Sequence, residues 1–350
     1  MAAEVLRRGV VLIPACLVVA ALALVQVGCE SAPREHQLSG YTMGTEWSVR
    51  IVLPADSRQL TGLRDDIEDA LETVDAQMST YRDDSVLSRF NKLPAGESII
   101  LPSEFAEVLD AALMLAEQTG GRFDPTVGPL VNLWGFGPDG PRTEPPSEQA
   151  IEAARARVGW EQLQFDIDTR ELFQPGDVYL DLSSIAKGYA VDLIVRRLET
   201  RGINAYLVDI GGDMRSRGEK PGGQPWRIAI ERPTPGERGI HTIIEPGNKA
   251  IATSGSYRSF FRDGDREYSH TIDPLTGYPI PQELVSVTVV HDNAMAADGL
   301  ATAITALGPQ AGLEFARERD LVVLLLIRDN GSVREEMTER FTPYLDGEKD

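Results

Sequence analysis

The body of this chain contains no cysteine. The sequence has 350 residues, and its 2 cysteines, Cys16 and Cys29, both lie near the start. Disulfides, thiolate zinc sites and cysteine nucleophiles are therefore excluded from the rest of the chain. Histidine is also scarce, and the four histidines are too far apart to form a histidine-rich metal motif: His36, His241, His270 and His291. A bound metal should be a hard cation held by oxygen ligands.

Positive charge is in short supply as well. The chain has 34 Lys and Arg against 54 Asp and Glu, so its net charge is 34 − 54 = −20. Binding to nucleic acid depends on neutralising backbone phosphates with Lys and Arg, and we therefore expect no nucleic-acid partner. An anionic cofactor would need a local cation in such an acidic protein, most simply a metal ion.

The first 28 residues have the pattern of an export signal. Arg7 and Arg8 precede an apolar run over residues 10–25, and small residues follow before position 29. A basic start, an apolar middle and a small-residue end are typical of a cleaved signal peptide. The apolar run is short for a membrane-spanning helix, which favours the cleaved leader over an uncleaved membrane anchor.

Cys29 stands where a bacterial lipoprotein carries its lipid. Gln26 departs from the pattern, because lipoprotein signals usually have Leu at that position. Residues 29–37 are short and polar, and we interpret them as a tether between the lipid and a single folded domain over residues 38–350. The sequence thus predicts an exported, lipid-anchored protein on the periplasmic side of a bacterial membrane, with the inner membrane favoured.

Residues 181–192 follow the strand-like 178–180 and open into a helical pattern. A strand that turns sharply into a helix exposes backbone N–H groups at the positive end of the helix, where a phosphate is stabilised. Asp181 can cap this turn or accept a hydrogen bond from a ligand. Ser184 offers a hydroxyl to a hard cation or an oxyanion, and Lys187 adds a positive charge. The alternative is an ordinary capped helix with a surface lysine.

A second helical pattern begins at the alanine-rich stretch 293–304. Asp298 and Thr302 are four residues apart, so their side chains project from one face of that helix. A carboxylate and a hydroxyl placed in this way can share a magnesium ion. A solvated surface pair, or a bond from Thr302 to the backbone, is the alternative.

Two further stretches suggest a ligand site. Residues 122–137 combine prolines, glycines and aromatic residues without a repeat, which suits a loop shaped around a flat ring. In residues 268–277, His270 is a plausible general base, and Asp273 orients its ring or caps the turn at the following proline. The remaining periodicities predict a mixed α/β fold with antiparallel hairpins in its second half and a loosely ordered tail from Thr338.

Six motifs occur in an order that identifies a family. They occupy residues 41–45, 120–137, 181–190, 210–213, 269–277 and 297–303. On these motifs the chain resembles the ApbE family of FAD:protein FMN transferases from about residue 40 to about residue 327. The resemblance implies an α/β fold of two related halves with FAD bound between them.

The resemblance also implies a reaction. FAD is cut at its pyrophosphate, FMN is joined by a phosphoester to a threonine hydroxyl of an acceptor protein, and AMP leaves. Family acceptors are exported subunits of Nqr- and Rnf-type electron-transfer complexes in the membrane. A lipid-anchored, exported enzyme fits that meeting place.

The family's site residues carry over by position. Those implied for a magnesium site are Ser184, Asp298, Thr302 and the carbonyl of Ala301. Those implied for FAD binding are Met43, Tyr81, Arg122, Phe123, Asp124, Asp181, Lys187 and Ile272. His270 is the candidate base that takes the proton of the acceptor threonine.

Three other functions are compatible with parts of this pattern. A hydrolase would split FAD into FMN and AMP at the same metal site, with water in place of the threonine. A non-catalytic flavin-binding lipoprotein would not need a metal at the phosphates. A reductase would need a bound flavin used as a redox group and a nicotinamide motif such as G-x-G-x-x-G, and we expect no such motif in this chain.

Overall fold

The computed structural model describes residues 32–233, 239–255, 260–264, 266–281, 283–329 and 332–345. The signal peptide and the lipid-bearing Cys29 predicted from the sequence lie outside these described residues. None of the helices within the described ranges is both long and apolar enough to span a bilayer.

The described strands form one large sheet and three small ones. In chain order the strands are β1 (Arg34–Thr42), β2 (Thr45–Leu53), β3 (Ser98–Ile100), β4 (Gln164–Asp166), β5 (Glu171–Phe173), β6 (Tyr206–Ile210), β7 (Asp213–Arg217), β8 (Ile228–Arg232), β9 (Gly239–Ile244), β10 (Ala250–Gly255), β11 (Phe260–Asp263), β12 (Arg266–Ser269), β13 (Leu284–His291), β14 (Val322–Asp329) and β15 (Ser332–Met337). The large sheet has eight strands in the order β1-β2-β6-β7-β10-β13-β14-β15. Every neighbouring pair in it is antiparallel.

Helices pack mainly on one face of this sheet. The helices are α1 (Leu63–Met78), α2 (Val86–Asn91), α3 (Ser103–Gln118), α4 (Gly128–Leu133), α5 (Glu148–Arg155), α6 (Ala186–Thr200), α7 (Ala294–Leu307) and α8 (Pro309–Glu318). The fold is therefore the mixed α/β class that the sequence predicts. The antiparallel pairing also extends through the first half, beyond the hairpins expected in the second.

The large sheet consists of two halves with the same element order. In the first half, β1 and β2 are followed by α6 and then by β6 and β7. In the second half, β10 and β13 are followed by α7 and α8 and then by β14 and β15. The halves meet where β7 pairs with β10, through Arg215 opposite Ala250 and Met214 opposite Ile251. This seam is the natural place for a ligand that contacts both halves.

Both faces of the sheet are covered, because side chains alternate between them along each strand. Val323 and Leu325 of β14 belong to the core beneath the helices, and Leu324 and Leu326 belong to a second core on the other face. That second core is closed by Trp226, the β8–β9 hairpin and a 3-10 turn at Glu339–Tyr344. The run of apolar residues in β14 follows from this double burial.

The structure corrects several local predictions. Residues 34–37, which the sequence assigns to the tether, lie in β1. Residues 178–180, predicted as a strand, are not in one: the side chain of Asn91 bonds both the N–H and the carbonyl of Leu180, at 2.7 and 2.9 Å. The tail beyond Thr338 is ordered through residue 345, and Phe341 is fully buried.

Residues 122–137 also differ from the predicted irregular loop. Their centre forms the short helix α4, and Trp134 is buried, with its indole N–H donating to the carbonyl of Gly277 at 2.8 Å. The segment after α4 does spell G-x-G-x-x-G over residues 135–140. These residues follow a helix and precede irregular chain, so they lack the strand and helix that a nicotinamide site requires.

Candidate functional site

A cavity of about 500 Å³ lies at the seam between the two halves. Its size is within the range of small-molecule sites in proteins. Gly211, Gly212 and Met214 of the first half and Ile251 and Thr253 of the second half are on its wall. Ten of the residues predicted for the site line this cavity: Arg122, Phe123, Asp124, Asp181, Ser184, Lys187, His270, Ile272, Asp298 and Thr302.

Helices α6 and α7 approach each other closely at the cavity. A Cβ atom on Gly188 would lie 2.2 Å from the carbonyl oxygen of Ala294 and 2.8 Å from Cβ of Asp298, so only glycine fits there. The N–H of Gly188 donates to Oδ2 of Asp298 at 3.0 Å. Asp192 of α6 accepts from the N–H of Met295 at 2.9 Å. These contacts hold the Asp298 carboxylate against the first turn of α6.

The start of α6 opens onto the cavity. Oδ1 of Asp181 accepts from the N–H of Ser183 at 2.9 Å, which shapes the turn that precedes the helix. Ile185, at the N-cap position, offers no side-chain cap. Ser184 and Lys187 line the cavity beside it. The N–H groups of Ala186 and Gly188 already donate to Leu182 and Asp298, so an anionic ligand here would be stabilised by the other N–H groups of the turn and by the helix dipole.

Two buried carboxylates and one lysine form a charged group at the cavity, in which Lys187 and Asp298 are on the wall and Asp213 bonds to Lys187. Nζ of Lys187 donates to Oδ2 of Asp213 at 2.5 Å, and Asp213 and Asp298 are 2% and 6% exposed. Burial, together with the charge of Asp213, raises the pKa of Asp298 to about 7. Burial also raises the pKa of Asp213, although Lys187 opposes the shift. Burial lowers the pKa of Lys187, but the charges of Asp298 and Asp213 outweigh it and raise that pKa overall.

This charged group suits a divalent cation. With both carboxylates ionised, the group would carry one excess negative charge in a buried place, which is costly unless a cation joins it. Asp298, Thr302 and Ser184 present carboxylate and hydroxyl oxygens to the cavity, and hard cations prefer such donors. Within the ranges that the structure describes, no three or more His, Cys, Asp or Glu cluster as a metal site. A cation here would therefore rely on hydroxyl, carbonyl or water oxygens as well.

Asp124 organises the wall opposite α6. Its carboxylate is 7% exposed and accepts from the N–H and the hydroxyl of Thr126, at 2.7 and 2.6 Å, and from the N–H of Trp160 at 3.2 Å. Burial raises the pKa of Asp124 although these hydrogen bonds oppose the shift. Since both carboxylate oxygens hold the chain, Asp124 shapes the cavity wall as well as lining it.

Arg122 and Asp273 form an ion pair at the edge of the cavity. The guanidinium of Arg122 donates to Oδ2 of Asp273 at 2.7 Å, and Oδ1 of Asp273 accepts from the N–H of Leu275 at 3.1 Å. The hydroxyl of Thr276 also donates to Asp273, at 3.1 Å. Asp273 thus caps the turn at Pro274, which is one of the two roles that the sequence suggests for it.

His270 lies on the cavity wall beside an aromatic cluster. The ring of Phe136 meets the His270 ring edge-on, with centroids 6.3 Å apart. Behind them Phe261 stacks on Tyr268 at 4.9 Å, and Tyr268 stacks on Trp134 at 5.4 Å. These contacts give His270 an ordered apolar support facing the cavity.

Three of the predicted site residues are not on the cavity wall. Met43 lies in the tight turn between β1 and β2, with a positive φ of 45°. Tyr81 is 72% exposed, and its pKa is raised by partial burial and then by the charge of Asp181, which places it near the rim. Ala301 is buried, and its carbonyl accepts from the hydroxyl of Thr305 at 2.7 Å. Because a carbonyl oxygen has a second lone pair, the role of Ala301 as a metal ligand stays a prediction.

Asp213 is a site residue to which the sequence analysis gave no role. It begins β7 after a turn of two glycines with positive φ, Gly211 at 61° and Gly212 at 100°. A Cβ on Gly211 would lie 2.9 Å from the side chain of Thr45, and Asp209 accepts from the N–H of Gly212 at 2.9 Å. A strand followed by Gly-Gly-Asp was the available signal, but its lysine partner is visible only in the folded structure.

Comparisons with known proteins identify the family of this chain. The model of the ApbE family matches residues 43–325. An FAD:protein FMN transferase of Vibrio cholerae is 41% identical over 329 residues, which cover 94% of this chain and 98% of that protein. An FAD:protein FMN transferase of Escherichia coli K12 is 36% identical over 341 residues, which cover 94% and 97% of the two chains.

Solved structures show the same fold. The flavin transferase ApbE from Vibrio cholerae superposes with a TM-score of 0.83 at 41% identity, covering 89% of this chain and 100% of that chain. The apo form of the Pseudomonas stutzeri flavinyl transferase ApbE gives a TM-score of 0.81 at 39% identity, with coverage of 89% and 97%. With a family match over residues 43–325 and relatives that span nearly their full length, the chain belongs to the ApbE family.

Proposed function

We propose that this chain is a Mg²⁺-dependent FAD:protein FMN transferase that modifies a threonine of an exported acceptor protein. The observation that carries the proposal is the convergence of the α6 start, Lys187, Asp298 and Thr302 on one cavity at the seam. The curated relatives bear the name of this activity, and they cover nearly the whole chain.

The pyrophosphate of FAD would bind at the start of α6. Its negative charge is stabilised there by backbone N–H groups and by the nearby ammonium of Lys187. The flat rings would contact the apolar part of the same wall, which includes Phe123, Ile251 and Ile272. A dinucleotide that lies across the seam would contact both halves of the fold.

Asp298, Thr302 and Ser184 would hold the magnesium ion. Bound Mg²⁺ would offset the negative charge that builds up on the phosphates during transfer. The amide of Gly188 fixes one oxygen of Asp298 and thereby orients the carboxylate. Asp298 is only 6% exposed, so its charge interacts more strongly with neighbouring charges than it would in solvent.

In the transfer step, the threonine oxygen bonds to the phosphorus of the FMN half of FAD. The bond from that phosphorus to the bridging oxygen breaks, and AMP leaves with that oxygen. The threonine gives up its proton, and we assign a ring nitrogen of His270 as the acceptor. A neutral imidazole accepts a proton near pH 7, and such general-base assistance contributes about 10²–10⁴-fold to rate.

The acceptor is proposed to be an exported subunit of a membrane redox complex of the Nqr or Rnf type. The signal-like residues 1–28 and Cys29 support an exported enzyme anchored by lipid on the periplasmic side of the membrane. Such an anchor would keep the transferase beside membrane-bound acceptors. Labelling with a radioactive fatty acid, compared between the wild type and Cys29→Ala, tests the anchor.

The activity is tested with the full chain, FAD, Mg²⁺ and a candidate acceptor, and the acceptor is then weighed by mass spectrometry. We expect one added FMN on the acceptor and one AMP released for each transfer, both lost when Mg²⁺ is chelated. An unchanged acceptor with free FMN and AMP would instead identify a hydrolase. The absence of both products would leave a flavin-binding protein and refute the transferase.

The role of His270 has its own test. His270→Gln should bind FAD with unchanged affinity and should slow transfer about 10²-fold or more, because the threonine then lacks its base. A variant that bound FAD normally and transferred FMN at the wild-type rate would remove His270 from the mechanism without affecting the proposed activity.

A further inference from the structure

Lys187 lies between two buried carboxylates but bonds to only one of them. Its ammonium donates to Oδ2 of Asp213 at 2.5 Å. Asp298 also interacts electrostatically with Lys187, yet among the described residues its hydrogen-bonding partner is the amide of Gly188. The lysine is therefore committed to the carboxylate of the first half, and the carboxylate of the second half has no ammonium bonded to it.

This arrangement rests on the proposed function, in which Asp298 is a magnesium ligand. A lysine ammonium and a metal ion compete for the same carboxylate oxygens, because each is a cation with strong preference for them. If Lys187 bonded directly to Asp298, the ion pair would have to break before Mg²⁺ could bind. A second carboxylate that binds the Lys187 ammonium away from Asp298 removes this competition.

We propose that Asp213 is a positioning residue that holds Lys187 away from Asp298 and so keeps Asp298 available to the cation. Asp213 also supplies a second negative charge beside the site, which a divalent ion requires when one lysine is present. It acts through Lys187 and through the local field and does not itself bind the metal.

The backbone around Asp213 is built to fix its position. Asp213 pairs with Ile210 across the tight turn of Gly211 and Gly212, and both glycines have positive φ. The turn is further held by the bond from the N–H of Gly212 to Asp209. With a side chain that is 3% exposed, Asp213 has little freedom to move when Lys187 does.

The test measures Mg²⁺ binding to the full chain without FAD, by isothermal calorimetry, so that activity is not the readout. Asp213→Asn should weaken Mg²⁺ binding about tenfold, because Lys187 becomes free to pair with Asp298. Adding Lys187→Met to that variant should recover most of the lost affinity, since the competing ammonium is gone. The recovery is the signature of positioning, because a purely structural defect would not be repaired by a second substitution.

Asp209→Asn is the matched control. It removes a carboxylate from the same turn and retains an amide oxygen for the N–H of Gly212, but it leaves the Lys187–Asp213 pair intact. We expect Mg²⁺ affinity within about twofold of the wild type. An equal loss in Asp209→Asn and Asp213→Asn would show that only local charge matters, and it would overturn the positioning role.

A third variant covers the case in which Asp213→Asn does not fold. Lys187→Met alone should bind Mg²⁺ at least as tightly as the wild type, because no ammonium then approaches Asp298. Weaker Mg²⁺ binding by Lys187→Met would overturn the inference. A double variant that did not recover Mg²⁺ affinity would also overturn it, because Asp213 would then be a direct ligand of the metal. If the wild-type chain binds no Mg²⁺ with or without FAD, the metal assignment in the proposed function fails. Equal Mg²⁺ binding by all variants would instead overturn only the positioning role of Asp213.

Discussion

The starts of α6 and α7 differ in a way that separates a ligand site from a structural joint. At α7, Asn293 accepts from the N–H of Ala296 at 2.7 Å, and Asp192 accepts from the N–H of Met295 at 2.9 Å. At α6, the N-cap position offers no side-chain acceptor, and the first turn faces the cavity. At α6 the N–H of Ala186 donates to the carbonyl of Leu182 at 2.9 Å, and the N–H of Gly188 donates to Asp298 at 3.0 Å. The protein therefore bonds both helix starts, but at α6 one of the acceptors is a residue of the cavity wall.

The two helices depend on each other despite this difference. The bonds at the start of α7 hold that helix in place, and the side of α7 then presents Asp298 to the N–H of Gly188 in the first turn of α6. A rigid support beside a ligand site is the general arrangement for preorganised binding. The following substitutions disturb one side of this comparison at a time.

The largest effect is expected from Asp298→Ala. It removes the proposed metal ligand and the acceptor of the Gly188 amide together, and the transfer rate should fall about 10³-fold or more. The measurement is FMN incorporation into an acceptor protein at saturating Mg²⁺.

Thr305→Val is the control for Asp298→Ala on the same helix. Thr305 is buried, and its hydroxyl donates to the Ala301 carbonyl within α7, so transfer should remain near the wild-type rate. Full Mg²⁺-dependent transfer by Asp298→Ala would show that the metal assignment is wrong.

Gly188→Ala should disturb the contact between the two helices. The new Cβ would meet the carbonyl of Ala294 at 2.2 Å, a backbone atom that cannot move without shifting α7. We expect a loss of about 2–3 kcal/mol in the free energy of unfolding, measured with a chemical denaturant, together with weaker Mg²⁺ binding.

Gly299→Ala provides the comparison for Gly188→Ala. Its Cβ would lie 3.0 Å from the flexible end of Leu115, and alanine favours the helix by about 1 kcal/mol, so the net change should be small. Equal losses in the two variants would show that the close helix contact has no special role.

Mg²⁺ binding should weaken as the pH falls below about 7. The pKa of Asp298 is raised from 3.8 to about 7. The protonated carboxyl therefore stabilises the fold at low pH, and this contribution to the free energy of unfolding is lost as the pH rises towards 7. Below pH 7 a proton competes with Mg²⁺, and the dissociation constant should increase about tenfold per pH unit. Calorimetry from about pH 5.5 to about pH 8 measures this slope. Asp298→Asn should remove most of it.

The smallest effect is expected from Asp192→Asn. The amide oxygen can still accept from the N–H of Met295, but the ion pair with Arg215, at 2.8 Å, is lost. We expect a decrease of about 1 kcal/mol in the free energy of unfolding and near-normal transfer at saturating Mg²⁺. A loss of transfer as large as that of Asp298→Ala would place Asp192 in the site and not in the joint.

Much of the site could be predicted from local patterns. Asp298 and Thr302 were assigned to one helix face by their spacing, and both line the cavity. The helix start near Ser184 was also recognisable, although the strand predicted before it is instead bound by Asn91. Asn91, whose side chain takes the place of a strand partner, is 89 positions from Leu180, and no local sequence pattern reveals this contact.

Other assignments stay predictions, because position in the sequence does not give direction in space. Met43 and Tyr81 match family positions, but in this structure they lie in a turn and at the rim. The carbonyl of Ala301 points along its own helix to Thr305. The role of Asp213 was missed for the converse reason, because its partner Lys187 is 26 residues earlier in a different element.

The sequence by itself determined the local structure, through apolar periodicity, glycine turns and helix caps, and it determined the oxygen-rich chemistry of the site through its lack of cysteine and its acidic composition. Only the tertiary structure decided which groups meet. Gly188 and Asp298 are 110 residues apart and come together because two halves of an antiparallel sheet join at β7 and β10 and bring α6 against α7. Burial at that contact then shifts the carboxylate pKa, because the charged form loses the water that stabilises it.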